Sequence, residues 1–220
     1  MKWRSLEESK PGQDTRPLRE QFAERRALIE NLVPPELTAV HRQVVEDLKR
    51  SGIADRIPQP GAKAPAFTLP DQNGKPVSLA LLKGKKVLIV NTASDCGYTD
   101  QYAELEKLYQ QYKGQLEILA FPANDFKEQE KGNDAAIAEF CKKNYGVSFP
   151  LMARSTVIKS ANQNPVFNWL TNPASNGWNS KLPGWNFSKY LVNDKGQLTH
   201  YFDSGVSPLS KEVINAIKEN

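Results

Sequence analysis

The sequence predicts an α/β protein in which a central mixed sheet is flanked by helices and preceded by a helical extension. Three observations carry that expectation. Lys86-Val87-Leu88-Ile89-Val90 is a β-branched apolar run behind a Gly-Lys-Lys turn, the pattern of a buried strand. After a break over residues 91–99, Tyr102, Leu105, Leu108, Tyr109 and Tyr112 fall on one helical face, and 116–121 is a second apolar strand. Strand, helix and strand in that order make a parallel βαβ unit. Two later apolar runs around Asn193-Asp194-Lys195-Gly196 add a hairpin, which makes the sheet mixed.

Residues 1–16 are polar, with Pro11, Gly12 and nearby Pro17, and predict a loose arm. A helix is expected over 18–33, with Phe22, Leu28, Ile29 and Leu32 as a narrow apolar stripe. Pro34-Pro35 stops it, because a proline ring blocks the preceding turn. Pro35 then suits the first turn of a second helix that ends near Ser51-Gly52, with Val40, Val44 and Leu48 marking its buried side. Both helices are expected to cap the same domain, with a dimerisation arm as the alternative. Ile57-Pro58-Gln59-Pro60-Gly61 is a linker signal that divides an extension of 1–60 from a domain of 61–220. Within that domain a first hairpin turns at Asn73-Gly74 between 66–69 and 77–79. Beyond the βαβ unit come a helix over 134–145, an extended segment from 149 to 152 and a short helix over 165–170. The strands of the second hairpin cover 187–192 and 198–202, and an amphipathic helix over 210–218 closes the chain.

Composition removes several function classes. The net charge of +4 and pI of about 8.9 are only mildly basic, with acidic residues spread throughout, so no nucleic-acid partner is expected. No run approaches the roughly 18 apolar residues that a membrane span needs. The start, Met1-Lys2-Trp3-Arg4-Ser5-Leu6-Glu7-Glu8, lacks the apolar stretch of a signal peptide, which makes a cytoplasmic location the expectation. His41 and His200 stand far apart without Cys, Asp or Glu at ligand spacing, so neither a metal nor another cofactor is expected. A monomer or weak dimer is expected.

Two cysteines, Cys96 and Cys141, are too few for a disulfide scaffold and enough for one redox couple. Cys96 stands in the turn between the core strand and the following helix, where backbone N–H groups and the helix dipole favour a thiolate. A βαβ unit, a hairpin and a closing helix, with a cysteine after the first core strand, form the thioredoxin-like arrangement. In Cys96-Gly97-Tyr98-Thr99, threonine occupies the position of a second cysteine, which favours a single attacking thiolate over dithiol exchange.

Residues 91–99, Phe121-Pro122-Ala123-Asn124-Asp125-Phe126, Gln129-Glu130 and Trp185-Asn186-Phe187 resemble the glutathione peroxidase family, over a stretch from Ala66 to the C-terminus. Residues 17–80 resemble instead the front of peroxiredoxin-like proteins of the alkyl hydroperoxide reductase group, the pattern of a fusion of related thioredoxin-fold pieces. The first resemblance implies that Cys96 is the peroxidatic cysteine and that Gln129, Trp185 and Asn186 complete a catalytic tetrad. A free thiol with pKa of about 8.5 is a few per cent thiolate at neutral pH, and the thiolate is the nucleophile. The two amides and the indole N–H are neutral donors. Aimed at sulfur they stabilise the thiolate; aimed at peroxide oxygen they stabilise the departing hydroxide or alkoxide. Cys141, in Phe140-Cys141, matches the resolving cysteine of the thioredoxin-dependent members. The implied cycle takes a hydroperoxide as substrate and passes through a Cys96 sulfenic acid and a Cys96–Cys141 disulfide, with thioredoxin, or glutathione, as reductant. Because bridged Cα atoms must approach within about 7 Å, the Cys141 helix is expected to unwind locally.

Some residues depart from the family pattern. Asp95 places a carboxylate beside Cys96, which opposes thiolate formation. Lys127-Glu128 replace the glycines usual before Gln129 and stiffen that loop, and Ala123 removes a third cysteine. Arg154 is the only arginine after Arg56, so no arginine set for glutathione carboxylates is recognisable. The loop over 162–181, rich in Asn, Ser and Gly around Trp178, has no evident role. A Cys–His pair with His200 is conceivable, although that histidine sits in a hairpin strand. The competing readings are a peroxiredoxin-like peroxidase, for which the expected Thr-x-x-Cys and helping arginine are missing, and a redox relay or catalytically silent binding module.

Overall fold

The computed structural model describes residues 62–219 apart from Lys83, together with scattered helical positions between 24 and 50. In chain order the elements are β1 (Thr68–Pro70), β2 (Pro76–Ser78), a 3-10 turn (Leu79–Leu82), β3 (Lys86–Thr92), α1 (Gln101–Gln111) and β4 (Leu116–Pro122). There follow α2 (Asp134–Tyr145), α3 (Pro165–Leu170), α4 (Pro173–Asn176), β5 (Lys189–Val192), β6 (Leu198–Phe202) and α5 (Lys211–Lys218). By contact the chain divides into two units, Met1–Arg56 and Ile57–Asn220.

The main sheet has the order β4-β3-β5-β6, with β3 parallel to β4 and antiparallel to β5, and β5 antiparallel to β6. Alternation along β3 sorts its side chains between two cores. Leu88 and Val90 join Tyr102, Leu105, Leu108, Ile137, Val213 and Ile217 on the face covered by α1, α2 and α5. Val87 and Ile89 join Val166, Phe167, Trp169 and Tyr190 on the face covered by α3. Burial on both faces explains why β3 reads as an unbroken apolar run. β1 and β2 pair separately, with Asp71 bridged to Met152 and Ala120 to Leu151, so the predicted 149–152 segment is extended and bridged.

The topology places three loops at one end of the sheet. The chain leaves β3 and β4 at that end because they are parallel, and it enters β5 there because β5 is antiparallel. Residues after β3, after β4 and before β5 are therefore neighbours. The helix carrying Cys141 is well terminated. Asn133 Oδ1 accepts from Ala136 N–H, and Gly146 ends the helix at a φ of 65°, where a Cβ is disfavoured.

Two expectations are corrected. Val40 and Val44, expected on a buried side, are helical but 58% and 51% exposed. A stripe of isolated valines offers too little apolar area to compel burial. Leu48 and most of the two expected N-terminal helices lie outside the described residues. The loop expected over 162–181 holds the helical turn α4 and is pinned from within. Asn176 Nδ2 donates to the carbonyls of Trp169, Leu170 and Asn179, and Asn179 Nδ2 donates to Leu170 O. Buried asparagines thus satisfy backbone that the composition alone marks as loose.

Candidate functional site

Cys96 lies half-buried in the loop between β3 and α1. Thr99 shapes that loop. Its Oγ1 accepts from Cys96 N–H at 2.9 Å and lies 2.7 Å from Cys96 O and 3.2 Å from Ala93 O, to either of which it can donate. The residue standing where a second cysteine would be is therefore a latch on the first. Tyr98 N–H donates to Cys96 Sγ at 3.4 Å, so the expected backbone donor at the start of the helix is in place.

The loop after β4 carries Gln129 to the cysteine. Asp95 N–H donates to Gln129 O at 3.0 Å, which joins the two loops at the residue before Cys96. Glu130 N–H donates to Asn124 Oδ1, Arg154 Nη1 donates to Glu130 O, and Ser94 Oγ donates to Glu130 Oε2 at 3.1 Å. Glu130 is buried, and burial pushes its carboxyl up to about 7 against the opposing pull of the Ser94 hydrogen bonds and the Arg154 charge. Lys127 and Glu128 sit in the left-handed region, at φ of 50° and 54°. Two consecutive residues with side chains occupy a conformation that suits glycine, so the loop is strained as well as stiff.

The turn before β5 supplies Trp185 and Asn186. Asn91, near the end of β3, fixes it from both sides. Its Nδ2 donates to Trp185 O at 3.1 Å, its Oδ1 accepts from Ser188 N–H at 3.0 Å, and its backbone O accepts from Phe187 N–H at 2.6 Å. Asn186 is buried, and its Nδ2 donates to Gln129 Oε1 at 3.0 Å. The Trp185 ring lies 5.5 Å from the Phe126 ring, centroid to centroid, and Lys127 Nζ sits 5.6 Å from the indole centroid. Gln129 and Asn186 therefore meet, Trp185 precedes Asn186 with its ring against Phe126 on the Gln129 loop, and that loop is tied by backbone to the cysteine loop. Beside this junction a cavity of about 190 Å³ is lined by Ser94, Asp95, Gln129, Glu130, Ile137 and Phe140.

Cys141 is buried in the core cluster against which Cys96 packs, and both are free thiols. Burial pushes the Cys141 thiol up to about 11, a Tyr102 hydrogen bond opposing the shift and the Glu130 charge adding to it. His200 is engaged elsewhere, 3.5 Å from Glu219 and stacked on Phe202.

Asn91 and Thr99 shape this site without having been expected. Asn91 carries a faint signal in the sequence, a polar residue closing an apolar run.

The family model for glutathione peroxidase matches residues 65–171. The chain is 43% identical over 152 residues to the glutathione peroxidase-like peroxiredoxin HYR1 of Saccharomyces cerevisiae, covering 68% of this chain and 93% of that protein. The crystal structure of Trgpx in apo form superposes with a TM-score of 0.52 at 34% identity, over 70% of this chain and 94% of that one. A thiol:disulfide interchange protein of the thioredoxin family from Chlorobium tepidum TLS superposes with a TM-score of 0.51 at 18% identity, over 71% of this chain and 93% of that one, a likeness of fold alone. The fold is thioredoxin-like, and fold and relatives together define a thiol peroxidase. The chain belongs to the glutathione peroxidase family.

Proposed function

We propose that the chain reduces hydrogen peroxide and organic or lipid hydroperoxides through Cys96, with Cys141 as resolving thiol and thioredoxin as reductant. The observation that carries this reading is the hydrogen bond between Asn186 and Gln129, on a loop bonded to the residue before Cys96. It brings two neutral amides from distant parts of the chain together on a loop tied to the cysteine loop, where such donors can act on the reacting atoms.

In the first step the Cys96 thiolate attacks the near oxygen of the hydroperoxide. The S–O bond forms as the O–O bond breaks, and the leaving oxygen takes a proton to depart as water or alcohol. Gln129 Nε2, Trp185 Nε1 and Asn186 Nδ2 are the groups available to stabilise that oxygen. Next, the Cys141 thiol loses its proton and attacks the sulfenic sulfur, so that an S–S bond replaces the S–O bond and water leaves. Thioredoxin then reduces the disulfide by thiol–disulfide exchange. A thiol held at about 11 in the core is a poor nucleophile. Local opening of α2 supplies both the approach to Cys96 and the return of Cys141 toward its ordinary acidity.

Hydroperoxide consumption coupled to thioredoxin oxidation tests the reading. Cys96→Ser should abolish it. Cys141→Ala should leave one turnover of peroxide per chain and no thioredoxin-driven cycling. Steady cycling in the Cys141→Ala protein would remove the resolving role, and a silent wild type would favour a binding module.

A further inference from the structure

We propose that Lys189 is a positioning residue for the peroxide-reducing step, setting the turn that presents Trp185 and Asn186. The inference rests on the peroxidase reading above. Lys189 opens β5 and is 0% exposed, one of the largest fully buried side chains among the described residues. Its Nζ donates to Phe187 O at 2.7 Å and to Ser204 O at 3.4 Å. Both partners are neutral carbonyls. A buried amine held by so few acceptors is unfavourable for stability, and an apolar side chain of similar shape is often tolerated better.

The surroundings indicate what the amine does. Phe187 has a φ of 67°, the left-handed region that a bulky side chain rarely adopts. Its N–H is held by Asn91 O and its C=O by Lys189 Nζ, so the strained residue is fixed at both ends of its peptide framework. Asn186 and Trp185 immediately precede it, and relaxation of Phe187 toward negative φ would swing both side chains. Ser204 O, the second acceptor, also receives Gln101 Nε2 at 2.7 Å. Gln101 opens α1, the helix that follows the Cys96 loop. One shared carbonyl thus links the Lys189 amine, and through it the donor turn, to the helix start beside the cysteine. Burial lowers the Lys189 amine to about 7, while the charges of Glu104 and Asp203 act to raise it.

The test compares Lys189→Met and Lys189→Gln with the wild type, all carrying Cys141→Ser so that only Cys96 reacts. Stopped-flow rates with hydrogen peroxide are set beside alkylation rates with iodoacetamide, which needs the thiolate but not the donors. Lys189→Met should melt no lower than its parent and lose about 10- to 100-fold in peroxide rate, the scale of an ångström-sized misplacement, with alkylation within about twofold. Lys189→Gln keeps an N–H donor near Phe187 O and should fall between the two. Wild-type peroxide rates in either folded variant, equal losses in peroxide and alkylation, or a Gln variant no faster than the Met variant would overturn the proposal. If Lys189→Met does not fold, the Gln variant decides by the first two criteria. A parent with no peroxide reaction overturns the peroxidase reading along with it, whereas an active parent with an unimpaired variant overturns this proposal alone.

Discussion

Asn186 Nδ2 donates to Gln129 Oε1 at 3.0 Å, across a sequence separation of 57 residues. The bond fixes the sense of the glutamine amide: with Oε1 taken, Nε2 is the end left to donate. Asn186→Ala should therefore remove one donor and unfix another. Loss of a single preorganised donor costs about 10²- to 10³-fold in rate in comparable sites. The Asp variant should be at least as slow, because an acceptor opposite Gln129 Oε1 turns that amide around. Stopped-flow peroxide kinetics decide it, and an Asp variant near wild-type speed would show that the amide pair is not part of the chemistry.

Glu128 offers a test of loop strain. At a φ of 54° a side chain costs about 1–2 kcal/mol, part of which glycine's greater freedom in the unfolded chain takes back. Glu128→Gly should stabilise the protein by about 0.5–1 kcal/mol, read as a rise in urea midpoint at unchanged slope. The Val variant should lower the midpoint, since a β-branched side chain tolerates that conformation least.

Two of the buried titrating groups, Glu130 and Lys189, give opposite pH dependences. Glu130 is raised from 4.5 to about 7 on folding, so the native chain binds more protons than the unfolded chain in that window. Stability should fall as pH rises from about 4.5 to 7, by as much as about 3 kcal/mol. Lys189 is lowered from 10.5 to about 7, so the unfolded chain binds more protons between those values and stability should climb again as pH rises through them. Together they contribute a trough near neutrality. Glu130→Gln should match the wild type near pH 4 and exceed it at pH 8 in urea denaturation. Parallel profiles for the two proteins would refute the assignment.

Asn133 caps the helix that, in the proposed cycle, opens for Cys141 to react, through its bond from Ala136 N–H at 2.9 Å. Removing such a cap costs about 1 kcal/mol. Asn133→Ala should lower the opening cost by that amount and speed disulfide formation about fivefold, because the opened state is the reactive one. Quenched-flow thiol counting after one equivalent of peroxide measures it. A slower resolving step would mean that the helix reacts closed.

Much of this was legible in the sequence because burial imposes periods. The β3 run, the α1 face and the strands of the second hairpin were readable as apolar patterns, and the βαβ order then required Cys96 to lie at a strand's end. Val40 and Val44 show the limit of the same logic, since a helical stripe states where burial is affordable and not whether it occurs. Lys189 lay beyond it altogether. All four residues of β5 are buried, so no alternation marked one of them as unusual. Asn91 and Thr99 work through single atoms bonded to backbone, and no residue count or spacing records where a carbonyl points.

Parallel β3 and β4 beside antiparallel β5 assign the two halves of the cycle to different materials. In the proposed cycle, peroxide meets groups on loops anchored by hydrogen bonds at the ends of the sheet, whereas the resolving sulfur rides a helix that gives way. Mild warmth or a little urea should therefore leave oxidation of Cys96 nearly untouched while hastening closure of the bridge, so that the enzyme gains turnover from a softening that would cripple a rigid site.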